Sequence, residues 1–273
     1  MEEPDARQGE SQFMTDTKRF AARIENIDAA SPIVLVCEHA SNAFPAPWEG
    51  GLGLSADQRR AHVAWDPGAL ELSHGLARRL SATLVHAPVS RLVYDLNRPP
   101  HSPGAMPERS EIHDIPGNAA LGPEERAMRT ARVYDAFHAD LAAHLSARLS
   151  RGQLPVVITI HSFTPIYHGV LREVEFGIIH DDTRPGDEAL ARAILHEAEA
   201  RTRLVSRLNE PYSAADGVTH LLRRQAVPYG LSHAMLELRN DLIATQDAAE
   251  AMAETLAPVL DAAVAAIRAG EGG

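Results

Sequence analysis

The sequence has little cysteine and little basic charge, and each shortage excludes a class of protein. Cys37 is the single cysteine among 273 residues, so no intrachain disulfide can form and we expect a reducing, cytoplasmic location. Asp and Glu outnumber Lys and Arg by 37 to 26, which gives a formal net charge of -11. Because nucleic-acid binding requires a clustered excess of Lys and Arg, we expect no nucleic-acid partner.

The chain also lacks a hydrophobic run that could cross a membrane. The longest apolar helical stretch, residues 248–269, is interrupted by charged residues such as Glu250 and Arg268, so we interpret it as a surface helix and expect no membrane partner. Residues 1–30 are polar and of mixed charge, and we predict a flexible N-terminal arm there. No linker divides residues 31–273, which we predict to form one domain, as a monomer or a small homo-oligomer.

Short apolar runs alternate with helical patterns along this domain. The runs predict strands at residues 33–37, 84–86, 91–94, 156–160, 176–179 and 234–238. Helices are predicted at residues 67–80, 123–150, 185–200, 216–225 and from 246 to the C-terminus, with Pro258 as a potential kink. Because wholly apolar strands need cover on both faces, the pattern predicts an α/β domain, a three-layer sandwich with a mostly parallel or mixed central sheet.

Three of the apolar runs lead directly into side chains suited to metal or proton chemistry. Glu38 and His39 follow the first run, His161 follows the run at 156–160, and Glu237 lies within the last. Since the carboxyl ends of parallel strands meet at one edge of a sheet, we expect these side chains to converge. Two imidazoles, a carboxylate and an open fourth position form a catalytic zinc site. A serine nucleophile is less favoured, because a strand-like run follows Ser232 where a nucleophile turn requires a helix.

Six segments, in this order, resemble the N-formylglutamate amidohydrolase family: VCEHASNAFP (36–45), AWDPGA (64–69), SRLVYDLNRPP (90–100), ITIHSFTP (158–165), NEPY (209–212) and LELRNDL (236–242). That family is similar in fold to the zinc carboxypeptidases. The resemblance therefore implies a zinc carboxypeptidase-like fold, Zn²⁺ as cofactor, and a small anionic N-acyl amino acid as substrate.

The same resemblance implies roles for single residues. His161 matches a zinc ligand, Glu237 the general base, and Asn97 with Arg98 the pair that binds the α-carboxylate of the substrate. His39 matches the first ligand, although Asn42 stands where carboxypeptidases have a ligating glutamate.

We expect Asp66 of the AWDPGA segment to supply the missing carboxylate, and Asn42 to remain a substrate-binding candidate. Glu38 is the alternative to Asp66. One residue from His39 on an extended segment, its side chain is expected to point the other way.

Several of these residues have a second interpretation. Asp66 could instead cap the helix that follows it. Arg98 could be a solvated loop residue, and Arg91 could either hold a distal carboxylate of the substrate or pair with a neighbouring acid. Tyr212 is either a mobile lid residue or a packed aromatic. Glu237 is either a strand residue facing solvent or a buried group with a perturbed pKa.

Together these interpretations predict a zinc-dependent enzyme that releases formate and L-glutamate from N-formyl-L-glutamate. One alternative is a metallo-amidase or carboxypeptidase that acts on another N-acyl amino acid or a small peptide. Another alternative is a metal-free, non-catalytic binding protein, because Asn42 replaces the glutamate that ligates the metal in carboxypeptidases.

Overall fold

The computed structural model describes residues 18–182 and 188–271. Within these residues the strands are β1 (Arg23–Glu25), β2 (Ile33–Cys37), β3 (Thr83–His86), β4 (Arg109–Ser110), β5 (His113–Asp114), β6 (Val156–Phe163), β7 (Ile166–Tyr167), β8 (Val170–Leu171), β9 (Phe176–Ile179), β10 (Ser206–Leu208) and β11 (His233–Arg239). The helices are α1 (Ala56–Arg60), α2 (Ala69–Leu80), α3 (Pro123–Arg129), α4 (Ala136–Ser150), α5 (Glu188–Arg201), α6 (His220–Gln225) and α7 (Gln246–Glu271).

Seven of the strands form one mixed sheet in the order β1-β3-β2-β6-β11-β9-β10. The four strands from β3 to β11 run parallel, whereas β1 and the pair β9 and β10 run in the opposite direction. The β4-β5 and β7-β8 pairs are separate short hairpins. The mixed, mostly parallel sheet is the one that the apolar runs predict.

Apolar side chains cover the sheet on both faces, which makes the domain a three-layer α/β sandwich as predicted. One face packs against α2, α5 and α7, with α7 in contact with both of the other helices. The other face packs against α4, α6 and the segment that follows β3. Every residue of β2 and β6 is buried, because strands at the centre of a doubly covered sheet have no solvent-facing side.

Most predicted elements are confirmed, with small shifts at their ends. The helix predicted at 123–150 runs from α3 to α4 through a π-helical turn at Thr130–Asp135, and α7 continues through Pro258. The helix predicted at 216–225 forms only as α6, after a 3-10 turn at Ala214–Asp216. The predicted start of the helix at 185–200 lies outside the described residues.

The strand predicted at 91–94 is wrong. These residues form a turn, in which the amide of Val93 donates to the carbonyl of Ser90 at 3.0 Å. The Ser90 hydroxyl stabilises the turn because it accepts from the Leu92 amide and donates to the Ala64 carbonyl. The apolar side chains of the segment are buried against α4 and its neighbours, so burial without sheet pairing produced the strand-like pattern.

Part of the predicted N-terminal arm belongs to the sheet. Arg23–Glu25 form the edge strand β1, which pairs antiparallel with β3 and is too short to give a periodic signal in the sequence. Residues 1–17 of the predicted arm lie outside the described residues. Within the described ranges, no helix combines the length and apolar character needed to cross a membrane.

Candidate active site

Glu237 and His161 face the same side of the sheet at its centre. The strands β6 and β11 are parallel neighbours, and Glu237 is the register partner of His161, so both side chains project in the same direction. His39 lies two residues beyond the end of β2, which flanks β6 on its other side. The three segments that the sequence analysis joined therefore meet at one buried point.

His39, Asp66 and His161 form a compact trio of potential metal ligands. The Asp66 Oδ2 atom is 3.4 Å from Nδ1 of His39 and 2.9 Å from Nδ1 of His161. One ligand atom from each residue lies within 4.8 Å of the others, and all three side chains are buried. This is the donor set expected of a catalytic zinc site, with room for a further ligand.

The structure excludes the second of the two interpretations of Asp66, the helix cap. The first residue before α2 is Gly68, and no side chain in the described part of the chain caps that helix end, so Asp66 is not the cap. Gly68 has a φ of 79°, and a Cβ at this position would lie 2.3 Å from the carbonyl oxygen of Ile243. Because only glycine tolerates this turn, the chain enters α2 with the Asp66 carboxylate facing the histidines.

Each histidine of the trio uses its second ring nitrogen to contact another buried carboxylate. Nε2 of His39 is 2.8 Å from Oδ1 of Asp95, and Nε2 of His161 is 2.9 Å from Oε1 of Glu38. Such carboxylates orient metal-binding histidines and increase their basicity. The expectation that Glu38 points away from the site is wrong, because residues 38 and 39 lie in a turn rather than on an extended segment.

Arg91 pairs with two acids of this group. Its guanidinium is 3.3 Å from Oδ1 of Asp66 and 2.7 Å from Oδ2 of Asp95, which supports the second of its two interpretations. With Glu38, the group holds three carboxylates and one guanidinium, so its formal charge is two negative when both histidines are neutral. That excess matches a divalent cation, and the residues present therefore fit Zn²⁺.

The histidines control the ionisation of Asp66 in the absence of such a cation. Burial works to raise the pKa of Asp66, but His39 and His161 hold it well below its ordinary value. Burial likewise works to lower the pKa of His161, but Glu38 and Asp66 raise it well above its ordinary value. The pocket thus stabilises positive charge where the trio lies.

Glu237 is buried, which favours the interpretation as a perturbed carboxyl. Burial raises its pKa to about 7, although His161 acts in the opposite direction. Its Oε2 atom has no hydrogen-bond partner among the described residues. Gly177, the register partner of Glu237 on β9, permits the close approach of the Glu210 backbone, since a Cβ there would lie 2.0 Å from the Glu210 carbonyl oxygen and 3.2 Å from the Glu237 Cβ.

The residues of this site all lie within a segment that matches a known family. The sequence matches the family model for N-formylglutamate amidohydrolase over residues 31–244. The chain belongs to this family. It is therefore an amide hydrolase, and its buried trio lies in the catalytic domain of an N-formylglutamate amidohydrolase family member.

Two solved structures have similar folds. The gene product Atu2144 from Agrobacterium tumefaciens is 47% identical and has a TM-score of 0.88, covering 94% of this chain and 100% of that one. An N-formylglutamate amidohydrolase from Ralstonia eutropha JMP134 is 18% identical, with a TM-score of 0.64 and coverage of 92% and 99%, a likeness of fold. A search of curated proteins finds no significant match.

A cavity of about 910 Å³ opens above the trio in this amidohydrolase. Of the predicted substrate-binding residues, Arg91, Asn97, Arg98 and Tyr212 line it, whereas Asn42 does not. Both ends of the Asn97 amide already contact backbone, since it donates to the Val218 carbonyl and accepts from the Leu221 amide. Asn97 thus holds the segment before α6 in place, a role that its motif did not indicate.

Arg98 and Tyr212 are better placed to meet a ligand. Arg98 donates through Nη1 to the carbonyls of Asn97 and Gly217, and its other nitrogens make no hydrogen bond within the described residues. The Tyr212 hydroxyl accepts from Nη1 of Arg172 at 3.3 Å, and burial raises the pKa of Tyr212 to about 12. Tyr212 is therefore a protonated wall residue at neutral pH.

Several polar residues of the cavity had not been predicted from the sequence, among them His62, Glu111 and Arg172. Nδ1 of His62 is 3.4 Å from Oε1 of Glu111, which lies between the short strands β4 and β5. His62 precedes Asp66 by four residues, a spacing that could have drawn attention. Arg172 belongs to no recognised motif, and its position depends on the ring of Tyr167 in the adjoining hairpin and on the ring of the distant Tyr212.

Proposed function

We propose that this amidohydrolase uses Zn²⁺ to hydrolyse N-formyl-L-glutamate to formate and L-glutamate. The observation that carries the proposal is the buried trio of His39, Asp66 and His161 beside the unpartnered Oε2 of Glu237, on the wall of one cavity. His39, Asp66 and His161 would hold the metal. When bound, the ion supplies Lewis acidity to the reacting carbonyl and to the attacking water.

Glu237 is the residue that moves protons in this proposal. Its Oε2 accepts a proton from the attacking water, whose oxygen bonds to the formyl carbon, and returns it to the amide nitrogen as the C–N bond breaks. A pKa of about 7 suits both steps, because the carboxyl exchanges a proton readily near neutral pH. Asp95 and Glu38 keep the imidazoles of His39 and His161 in position throughout.

The substrate has two carboxylates, and two arginines of the cavity, Arg98 and Arg172, form no ion pair with an acidic side chain among the described residues. Arg98 is assigned to the α-carboxylate, in accord with the family resemblance. Arg172 is assigned to the distal carboxylate. Its guanidinium lies 4.5 Å from the ring centre of Tyr167 and 5.1 Å from that of Tyr212, so stacking holds it on the cavity wall.

Replacing Arg172 by methionine tests this assignment. The variant keeps much of the side-chain length but loses the charge, and we expect kcat/KM for N-formyl-L-glutamate to fall by about 10- to 100-fold, the effect of losing a charge-assisted hydrogen bond. N-formyl-L-glutamine, which lacks the distal charge, should lose far less. Steady-state kinetics with both substrates measure the difference.

Arg109→Met is the matched control, because Arg109 lines the same cavity but pairs with Asp114 at 2.7 Å and is exposed. We expect this variant to keep its preference for the diacid. Equal losses for both substrates in Arg172→Met protein would contradict the assignment of Arg172 to the distal carboxylate.

A larger substrate is the second candidate, and the size of the cavity favours it. About 910 Å³ lies near the upper end of the range for small-molecule sites and exceeds what a formylated amino acid fills. The exposed β7-β8 hairpin, which contributes Tyr167 and Val170 to the lining, adds apolar surface at the opening. A longer N-acyl group or a short peptide would contact that surface.

The deciding experiment combines metal and substrate. Protein stripped with a chelator and then reloaded with Zn²⁺ is assayed for formate release from N-formyl-L-glutamate, beside a panel of longer N-acyl amino acids and dipeptides. We expect activity to depend on the added metal and to be highest with N-formyl-L-glutamate. Highest activity with a longer acyl group would support the second candidate, and protein that binds no metal would support a non-catalytic binding protein.

A further inference from the structure

A second group of metal-ligating side chains lies on the opposite face of the sheet. It consists of Glu25 on β1, His74 on α2 and His86 at the end of β3. His86 alternates with Val85 and shares the face of Leu84, which packs toward α2. His161 and Glu237 instead alternate with the α2-facing residues Ile160 and Leu236, and they project to the other face. The two groups are therefore separated by the sheet.

The geometry of this second group matches a metal site. The Glu25 Oε1 atom is 3.1 Å from Nε2 of His74 and 3.1 Å from Nε2 of His86. One ligand atom from each residue lies within 4.8 Å of the others. A tetrahedral zinc ion with bonds of about 2.0–2.1 Å separates its ligand atoms by about 3.3 Å, so small adjustments would admit the ion.

The origin of the three residues distinguishes the group from an ordinary surface ion pair. They come from an edge strand, an inner strand and a helix, and both imidazoles direct Nε2 at the same carboxylate oxygen. His86 is 4% exposed, whereas Glu25 and His74 are 47% and 34% exposed, so one fixed ligand lies beneath two that reach solvent. Imidazole nitrogens with a carboxylate favour zinc and neighbouring transition metals over magnesium or calcium.

We propose that Glu25, His74 and His86 bind a divalent transition-metal ion at a site separate from the active site. Zn²⁺ is the ion that fits these side chains best. The ion would join the edge strand β1 to β3 and α2. The fourth coordination position faces solvent, because two of the three ligands are partly exposed.

Zinc content of the full-length protein tests the proposal. Wild-type, His74→Ala and Glu25→Gln proteins are stripped with a chelator, dialysed against the same low Zn²⁺ concentration, and their zinc is measured by elemental analysis. We expect each variant to hold one equivalent less than the wild type. Both substitutions change partly exposed side chains, so the variants should fold, and circular dichroism verifies this.

His196→Ala is the matched control, because Nδ1 of His196 lies 3.4 Å from Oε1 of Glu197 without a second histidine. We expect it to hold as much zinc as the wild type. Any metal in the active site contributes equally to all four proteins, so the comparison does not depend on the proposed function. Equal zinc content in wild-type and His74→Ala proteins, or an equal loss in His196→Ala protein, would overturn the proposal.

The change in melting temperature provides a second measurement. Added Zn²⁺ should raise the Tm of wild-type protein more than that of His74→Ala protein, because a ligand bound only by the folded state stabilises it. The same Tm increase in both proteins would also count against the site.

Discussion

Glu237→Gln protein should retain its metal and lose nearly all hydrolytic activity. The amide keeps the size of the side chain but cannot accept the proton of the attacking water, and general acid-base catalysis contributes about 10²- to 10⁴-fold to rate. Glu237 does not belong to the trio of residues whose ligand atoms lie within 4.8 Å of one another. The metal content of the variant should therefore equal that of the wild type. Formate release and elemental analysis on the same sample provide both measurements.

Glu173→Gln is the control for this variant, since Glu173 is exposed and does not line the cavity. It should have the activity of the wild type. Activity of Glu237→Gln protein within about tenfold of the wild type would remove Glu237 from the role of general base, because the expected loss is far larger.

Asp66→Asn protein should lose stoichiometric metal and, with it, activity. Asp66 is the central member of the trio, and its Oδ2 atom contacts both histidines. Replacing the carboxylate with an amide removes one ligand charge from a site whose excess negative charge attracts the cation. Zinc content after dialysis, measured beside formate release, tests the expectation, and circular dichroism verifies that the variant is folded.

Replacing the carboxylates behind the histidines should have a smaller effect on metal binding than replacing Asp66. Asp95→Asn and Glu38→Gln leave the trio intact but remove the partner of His39 or His161, and such changes lower metal affinity by about 10- to 100-fold. Asp57→Asn, at a nearly fully exposed carboxylate, is the control and should bind metal normally. Full metal occupancy in Asp66→Asn protein would exclude Asp66 as a ligand.

Local pattern was enough to predict the layers of the fold and the centre of the site. Runs of β-branched residues between helical patterns indicated a doubly covered sheet, and β2, β6 and β11 formed where predicted. The chemistry-bearing residues at the ends of these strands had to converge, because the carboxyl ends of parallel strands share one edge. His161 and Glu237 are register partners for this reason.

The local sequence pattern could not predict which residues from distant segments contact one another. The segment at 91–94 is as apolar as a strand, but only its burial against α4 determines that it turns and thereby brings Arg91 and Asp95 to the trio. Glu38 was expected to point away because side chains alternate along an extended segment, whereas residues 38 and 39 form a turn after β2. Arg172 belongs to no recognised motif, and one of the two rings that hold it, that of Tyr212, comes from a distant segment.

The sequence by itself therefore indicated which candidate residues would lie together, through residue type and position at strand ends. Only the tertiary structure decided which partners they have: Asp66 between two histidines, Asp95 and Glu38 behind them, and Glu25 in contact with both His74 and His86. The physical reason is the separation along the sequence of the residues that interact. Strand and helix periodicity depends on neighbours a few residues apart, whereas these contacts join atoms that come together only when the whole sheet has formed.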